Sequence, residues 1–178
     1  MGDTRGGIEV PRGEGNVDVG DGRRLGFAEF GVPDGRSVVW LHGTPGARRQ
    51  VPIEAREYAT AHGLRIVGID RPGIGSSTPH LYRNVSSFAD DLEVVADRLG
   101  LGELAVVGLS GGGPYALAVG AAHPDRVRSV GVLGGVAPSV GDDAIAGGIV
   151  GLAKRLRPVG EGARPPLSIR PPRAPRPA

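Results

Sequence analysis

The residues of this chain that could do chemistry sit in short glycine-rich stretches, each following an apolar run. Gly108-Leu109-Ser110-Gly111-Gly112 separates the run Leu104 to Gly108 from a series of small helix formers. A strand that turns at once into a helix forces strained backbone angles on its corner residue. Glycines on either side are then required, because a Cβ there would clash with the crossing chain. Such a corner lifts the Ser110 hydroxyl above the sheet at a helix N-terminus, where the dipole favours negative charge. The matching chemistry is nucleophilic attack on a carbonyl. Two plainer readings exist: a glycine-rich turn with an N-capping serine, and a dinucleotide loop. The latter needs G-x-G-x-x-G, and Ser110 stands where its second glycine belongs.

The second stretch is Leu41-His42-Gly43-Thr44-Pro45-Gly46, after the run Ser37 to Leu41. His42 reads as a packed, hydrogen-bonded loop residue and Thr44 as a turn residue before proline. The third is Asp70-Arg71-Pro72-Gly73, in which the Asp70 carboxylate is expected to satisfy backbone N–H groups of the turn. The absence of cysteine excludes disulfides and thiolate chemistry. The four histidines are isolated and no H-E-x-x-H pattern occurs, so no metal site and no cofactor are expected.

Positioning these loops is the task of the surrounding elements. The 178 residues suffice for one domain with a real core. Aromatic residues are only 4%, so that core must be built of Val, Leu, Ile and Ala. Residues 1 to about 15 read as a flexible lead. Val17 to Val19 and Leu25 to Phe30 flank Asp21-Gly22 and predict a hairpin. Ser37–Leu41, Leu64–Ile69, Leu104–Gly108 and Val127–Leu133 read as four buried strands. Helices are expected at Ile53–His62, closed by Gly63, at Ser87–Leu99, at Gly112–Ala122 and, weakened by glycines, at Asp142–Leu156. A hairpin followed by strand–helix alternation predicts an α/β fold with a mostly parallel sheet. Ligands bind such sheets at the C-terminal strand ends, where all three loops lie.

These motifs, in this order and strand context, resemble the α/β-hydrolase superfamily, in its proline-iminopeptidase-like and small-ester-hydrolase branch. His42-Gly43-Thr44-Pro45-Gly46, Asp70-Arg71-Pro72-Gly73-Ile74-Gly75-Ser76-Ser77, Gly108 to Ala116 and Ala122-His123-Pro124-Asp125-Arg126-Val127 carry the resemblance, which runs from about Val17 to about Leu156. It implies that Ser110 is a nucleophile forming an acyl intermediate with a small ester or amide. It implies that the backbone N–H groups of Gly111 and Thr44 form an oxyanion hole, where one donor contributes about 3 kcal/mol. His42, Gly43 and Asp70 would shape the loops.

The family's order is serine, then an acid, then a histidine. The chain is expected to stop after strand 6, before the last two. His123 follows Ser110, but a twelve-residue helix would carry it roughly 18 Å away. His62 ends another returning helix. His80 reads as a solvated loop residue, and Asp142 and Asp143 as a helix cap. A partial domain at residues 16–156, with weak activity or none, is the expectation; a non-catalytic fragment or binding module is the alternative.

From Pro158 onward, proline and arginine interleave, which predicts a disordered or polyproline-like tail at 157–178, read as a frameshifted or truncated frame rather than a partner ligand. Strand 6 would then be an exposed apolar edge prone to self-association. The net charge of +2 gives no reason to expect nucleic acid or a membrane as partner. With no apolar leader, a cytoplasmic location is expected.

Overall fold

The computed structural model describes residues 10–138 and Ala144. The expected helix at Asp142–Leu156, the tail from residue 157 and the acids Asp142 and Asp143 lie outside the described residues.

Six strands form one mixed sheet: β1 (Gly13–Gly20), β2 (Arg23–Gly31), β3 (Arg36–Leu41), β4 (Leu64–Ile69), β5 (Leu104–Leu109) and β6 (Val127–Leu133). Their spatial order is β1-β2-β4-β3-β5-β6. β1 and β2 pair antiparallel around Asp21-Gly22, β2 pairs antiparallel with β4, and β4, β3, β5 and β6 run parallel. Helices α1 (Ile53–His62), α2 (Ser87–Arg98) and α3 (Gly113–Ala122) are the crossovers. No helix among the described residues is long and apolar enough to cross a membrane.

Strand alternation splits the core in two. Val39, Leu41, Val67, Ile69 and Val106 point to the face covered by α2 and α3, packing with Phe88, Leu92, Val95, Ala116 and Val119. Phe30, Trp40 and Ile66 point to the other face, packing with Val51 and with Ala59 of α1. The chain steps from β3 one way to β4, then back past β3 to β5. Crossovers are right-handed, so the reversal sends α1 and α2 to opposite faces and opens a crevice where the loops after β3 and β5 part.

Local chemistry sets the helix ends. Gly63 closes α1 at φ 67°, its N–H bonding the Ala59 carbonyl. Asn84 Oδ1 accepts the Ser87 N–H at 3.0 Å and starts α2. Phe88, Leu92 and Val95 form the buried stripe of α2, and Asp91 interrupts it. Asp91 is held there by the Arg23 guanidinium and by the Tyr82 hydroxyl at 2.5 Å. Burial and that carboxylate push the Tyr82 phenol well above its ordinary range.

Two expectations need correction. The ordered chain begins before residue 16: Gly13 is already in β1, and the Arg12 N–H bonds the Glu29 carbonyl. That pairing is made by backbone and leaves no apolar alternation to read. The small-residue helix begins one residue late, because Ser110–Gly112 forms a separate 3₁₀ turn before α3. β6 stands at the edge of the sheet among the described residues, with Val130, Val132 and Leu133 exposed, which is the exposed apolar edge expected of strand 6.

Candidate active site

The three glycine-rich loops converge at the C-terminal ends of β3, β4 and β5. Ser110 is the corner between β5 and α3, and its φ of 48° puts it in the left-handed region. For a residue with a Cβ this costs roughly 1–2 kcal/mol. The expected steric reason for the flanking glycines is met. A Cβ on Gly108 would lie 2.5 Å from the Gly112 carbonyl oxygen, and one on Gly112 would lie 2.2 Å from that of Leu41. The elbow therefore packs directly on the end of β3. A Cβ on Gly43 would sit 3.4 Å from Ser110 Cβ, which places the loop after β3 beside the serine. Ser110 itself is half-buried.

Peptide planarity turns the hydrogen bonds of this region into directions. A carbonyl and the following N–H share one plane and, in a trans unit, point opposite ways. The Ser110 carbonyl accepts the N–H groups of Gly113 and of Val136, the latter at 3.2 Å. The Gly111 N–H, in the same plane, is thereby turned the other way. The Gly43 carbonyl is held by two donors, His42 Nδ1–H at 2.7 Å and Arg71 Nη2–H at 2.9 Å. That fixes the direction of the Thr44 N–H. The Gly43 N–H donates to Gln50 Oε1 at 2.8 Å.

The loop-shaping residues do what their types suggest, through partners that spacing did not reveal. His42 is fully buried, and its Nε2 accepts the Arg71 backbone N–H at 3.2 Å. Both ring nitrogens are engaged. Burial, aided by the Arg71 charge, pushes its pKa below the ordinary imidazole value, against the pull of the Gly43 carbonyl. His42 is therefore neutral and unsuited to take a proton from Ser110. The buried Asp70 carboxylate accepts the Ser76 N–H at 3.1 Å, as a turn-satisfying acid should. It also accepts the Arg48 N–H at 2.6 Å and Arg48 Nη1 at 2.5 Å, which tie the loop after β3 to the loop after β4.

Arg48, Gln50 and Arg71 are the residues that sequence reasoning left without a role. A polar residue in a glycine-proline loop was the available signal, but their side-chain partners lie between 5 and 40 positions away. The remaining histidines are occupied elsewhere. His123, at the far end of α3, bonds the Ala89 carbonyl at 3.2 Å. His62 stacks on Tyr58 at the end of α1, and the exposed His80 packs edge-on to Tyr82.

Comparison with known proteins places this geometry. A family model described as the alpha/beta hydrolase fold matches residues 36–152. The chain is 37% identical over 129 residues to a proline iminopeptidase of Arabidopsis thaliana, covering 71% of this chain and 33% of that one. It is 36% identical over 132 residues to a proline iminopeptidase of Neisseria meningitidis, covering 72% and 42%. The chain thus spans between a third and somewhat over two-fifths of the length of these curated relatives. Among solved structures, an esterase from Exiguobacterium antarcticum superposes with a TM-score of 0.59 at 25% identity, covering 67% of this chain and 44% of that one. A probable hydrolytic enzyme from Pseudomonas aeruginosa PAO1 gives 0.63 at 19% identity, covering 73% and 44%, and so speaks to fold alone.

Proposed function

Because the chain belongs to the alpha/beta hydrolase fold family, we propose that it carries the nucleophile and oxyanion hole of a serine hydrolase acting on a small ester or amide. The Ser110 hydroxyl gives its proton to a base as its oxygen adds to the substrate carbonyl, and the N–H groups of Thr44 and Gly111 stabilise the oxyanion that develops. Collapse of the tetrahedral species expels the alcohol or amine, which takes up that proton, and leaves an acyl-Ser110, which water then hydrolyses to the free acid and serine. The relatives, being proline iminopeptidases, favour an amide next to a proline as substrate.

A single observation carries this reading: a non-glycine residue at φ 48°, at the corner of a strand–helix turn packed against the next loop. Strain of this kind persists where the surroundings hold it, and it gathers at functional sites. Turnover needs a base as well. His42 is spent on loop shape and His123 sits at the far end of α3, so this chain's own turnover is expected to be weak.

The test is labelling by a fluorophosphonate, followed by peptide mapping. Label is expected on Ser110 and lost in Ser110→Ala, with ester turnover slow or absent. Label that persists in Ser110→Ala sinks the reading, while label without turnover marks a binding or half-built site. Ser110→Gly adds a structural check: it should remain unlabelled yet gain about 1 kcal/mol of stability as the backbone strain is relieved.

A further inference from the structure

Arg71 is the one side chain in which all three loops meet. It stands on the loop after β4. Its Nη2 donates to the Gly43 carbonyl at 2.9 Å and to Thr44 Oγ1 at 2.6 Å, both on the loop after β3. Its Nη1 donates to the Gly111 carbonyl at 3.2 Å, on the elbow after β5. The guanidinium also lies over the Tyr115 ring, 5.3 Å from its centroid. All of these partners are neutral. Two other arginines at this end of the sheet have carboxylates: Arg48 pairs with Asp70 and Glu14, and Arg23 with Asp91. No carboxylate pairs with Arg71 among the described residues, and its buried Nε finds no acceptor among them.

Keeping an uncompensated cation half-buried is unfavourable, and burial does lower the Arg71 pKa. Loop shape alone does not require a charge there, since a neutral donor could hold carbonyls and a hydroxyl. The position is more informative. Arg71 grips the oxygen of the Gly43–Thr44 peptide, whose N–H is one proposed oxyanion donor, and a carbonyl two residues into the elbow that supplies the other.

We propose that Arg71 is the positioning residue of the oxyanion hole: its forked guanidinium locks the Gly43–Thr44 peptide so that the Thr44 N–H faces the reaction centre, and its unpaired charge favours the anion that forms there. This rests on Ser110 being the nucleophile. A fork bonding acceptors on two loops is a geometry that arginine supplies and lysine does not.

Phenylboronic acid tests this without requiring turnover, because a serine adds to boron to give a tetrahedral anion that mimics the oxyanion species. Adduct formation by the 178-residue chain is followed by boron-11 NMR across pH, together with the amide resonance of ¹⁵N-labelled Thr44. Arg71→Gln is expected to weaken the adduct at least about tenfold, in keeping with the loss of an oxyanion donor, and to shift the Thr44 amide while α2 resonances stay in place. Arg71→Lys should recover part of the affinity. Parent-like affinity in a folded Arg71→Gln overturns the proposal. If that variant does not fold, parent-like affinity in Arg71→Lys does the same. Failure of the underlying reading looks different: the parent gives no adduct, or Ser110→Ala gives one equally well, and the proposal falls with it.

Discussion

The loop cluster at the ends of β3, β4 and β5 and the β5–β6 side of the same sheet are built to opposite standards. In the cluster, polar groups find partners on a different loop: Asp70 on Arg48, His42 on the Arg71 backbone and Arg71 on three acceptors. On the β6 side, apolar groups face water. Leu117 of α3 is 58% exposed and Leu133 is 48% exposed. β5 itself alternates buried and half-buried residues, since α1 covers only the β2–β4–β3 part of its face. The loops hold one another mainly through residues 42–111, whereas the β6 side presents apolar side chains to solvent.

Breaking the cluster should produce the largest effect. Asp70→Ala strands the Arg48 and Ser76 N–H groups and leaves the Arg48 guanidinium with Glu14 alone, and should cost about 3 kcal/mol in urea unfolding. A loss below about 1 kcal/mol would mean that water replaces the carboxylate and that the cluster is looser than described. A smaller, pH-dependent effect comes from His42. Its pKa is lowered by folding, so the unfolded chain binds the proton more readily. The contribution of neutral His42 is therefore fully present above the unfolded imidazole value of about 6.5 and is lost as pH falls below it. Urea midpoints should fall from pH 7.5 to pH 5.5, and the fall should shrink in His42→Gln. Equal slopes in the two proteins would remove His42 from the account. The smallest effect on stability belongs to the other region: Leu133→Lys should leave unfolding within about 0.5 kcal/mol. It should also reduce self-association in analytical ultracentrifugation, because a charge on an apolar edge blocks strand addition. Unchanged association would clear the β6 edge of that role.

Much of this was legible in the sequence where one local signal sufficed. Gly63 closes α1 because only a residue free of a Cβ penalty takes φ 67° readily, and the apolar runs 64–69 and 127–133 became strands with those limits. The elbow was legible because glycines 108 and 112 report the crossing of two chains. What escaped had no local signal. Gly13 and Glu14 join β1 through pairing with Glu29 and Ala28, not through any pattern of their own. The break between the 3₁₀ turn and α3 falls within a run of three glycines whose spacing is the same in either geometry. Arg71 was visible as part of Asp70-Arg71-Pro72-Gly73, but its role exists only once three strand ends stand side by side.

Asp91 has a consequence for how the molecule opens. It occupies a core-facing position of α2 and is tied to Arg23, the first residue of β2, and to Tyr82 in the preceding loop. Lifting the hairpin away from α2 would leave that carboxylate against Phe88 and Leu92 with its cation withdrawn. The hairpin and α2 are therefore latched, and amide exchange in the two should follow a single shared excursion, although 55 residues of chain separate the end of one from the start of the other.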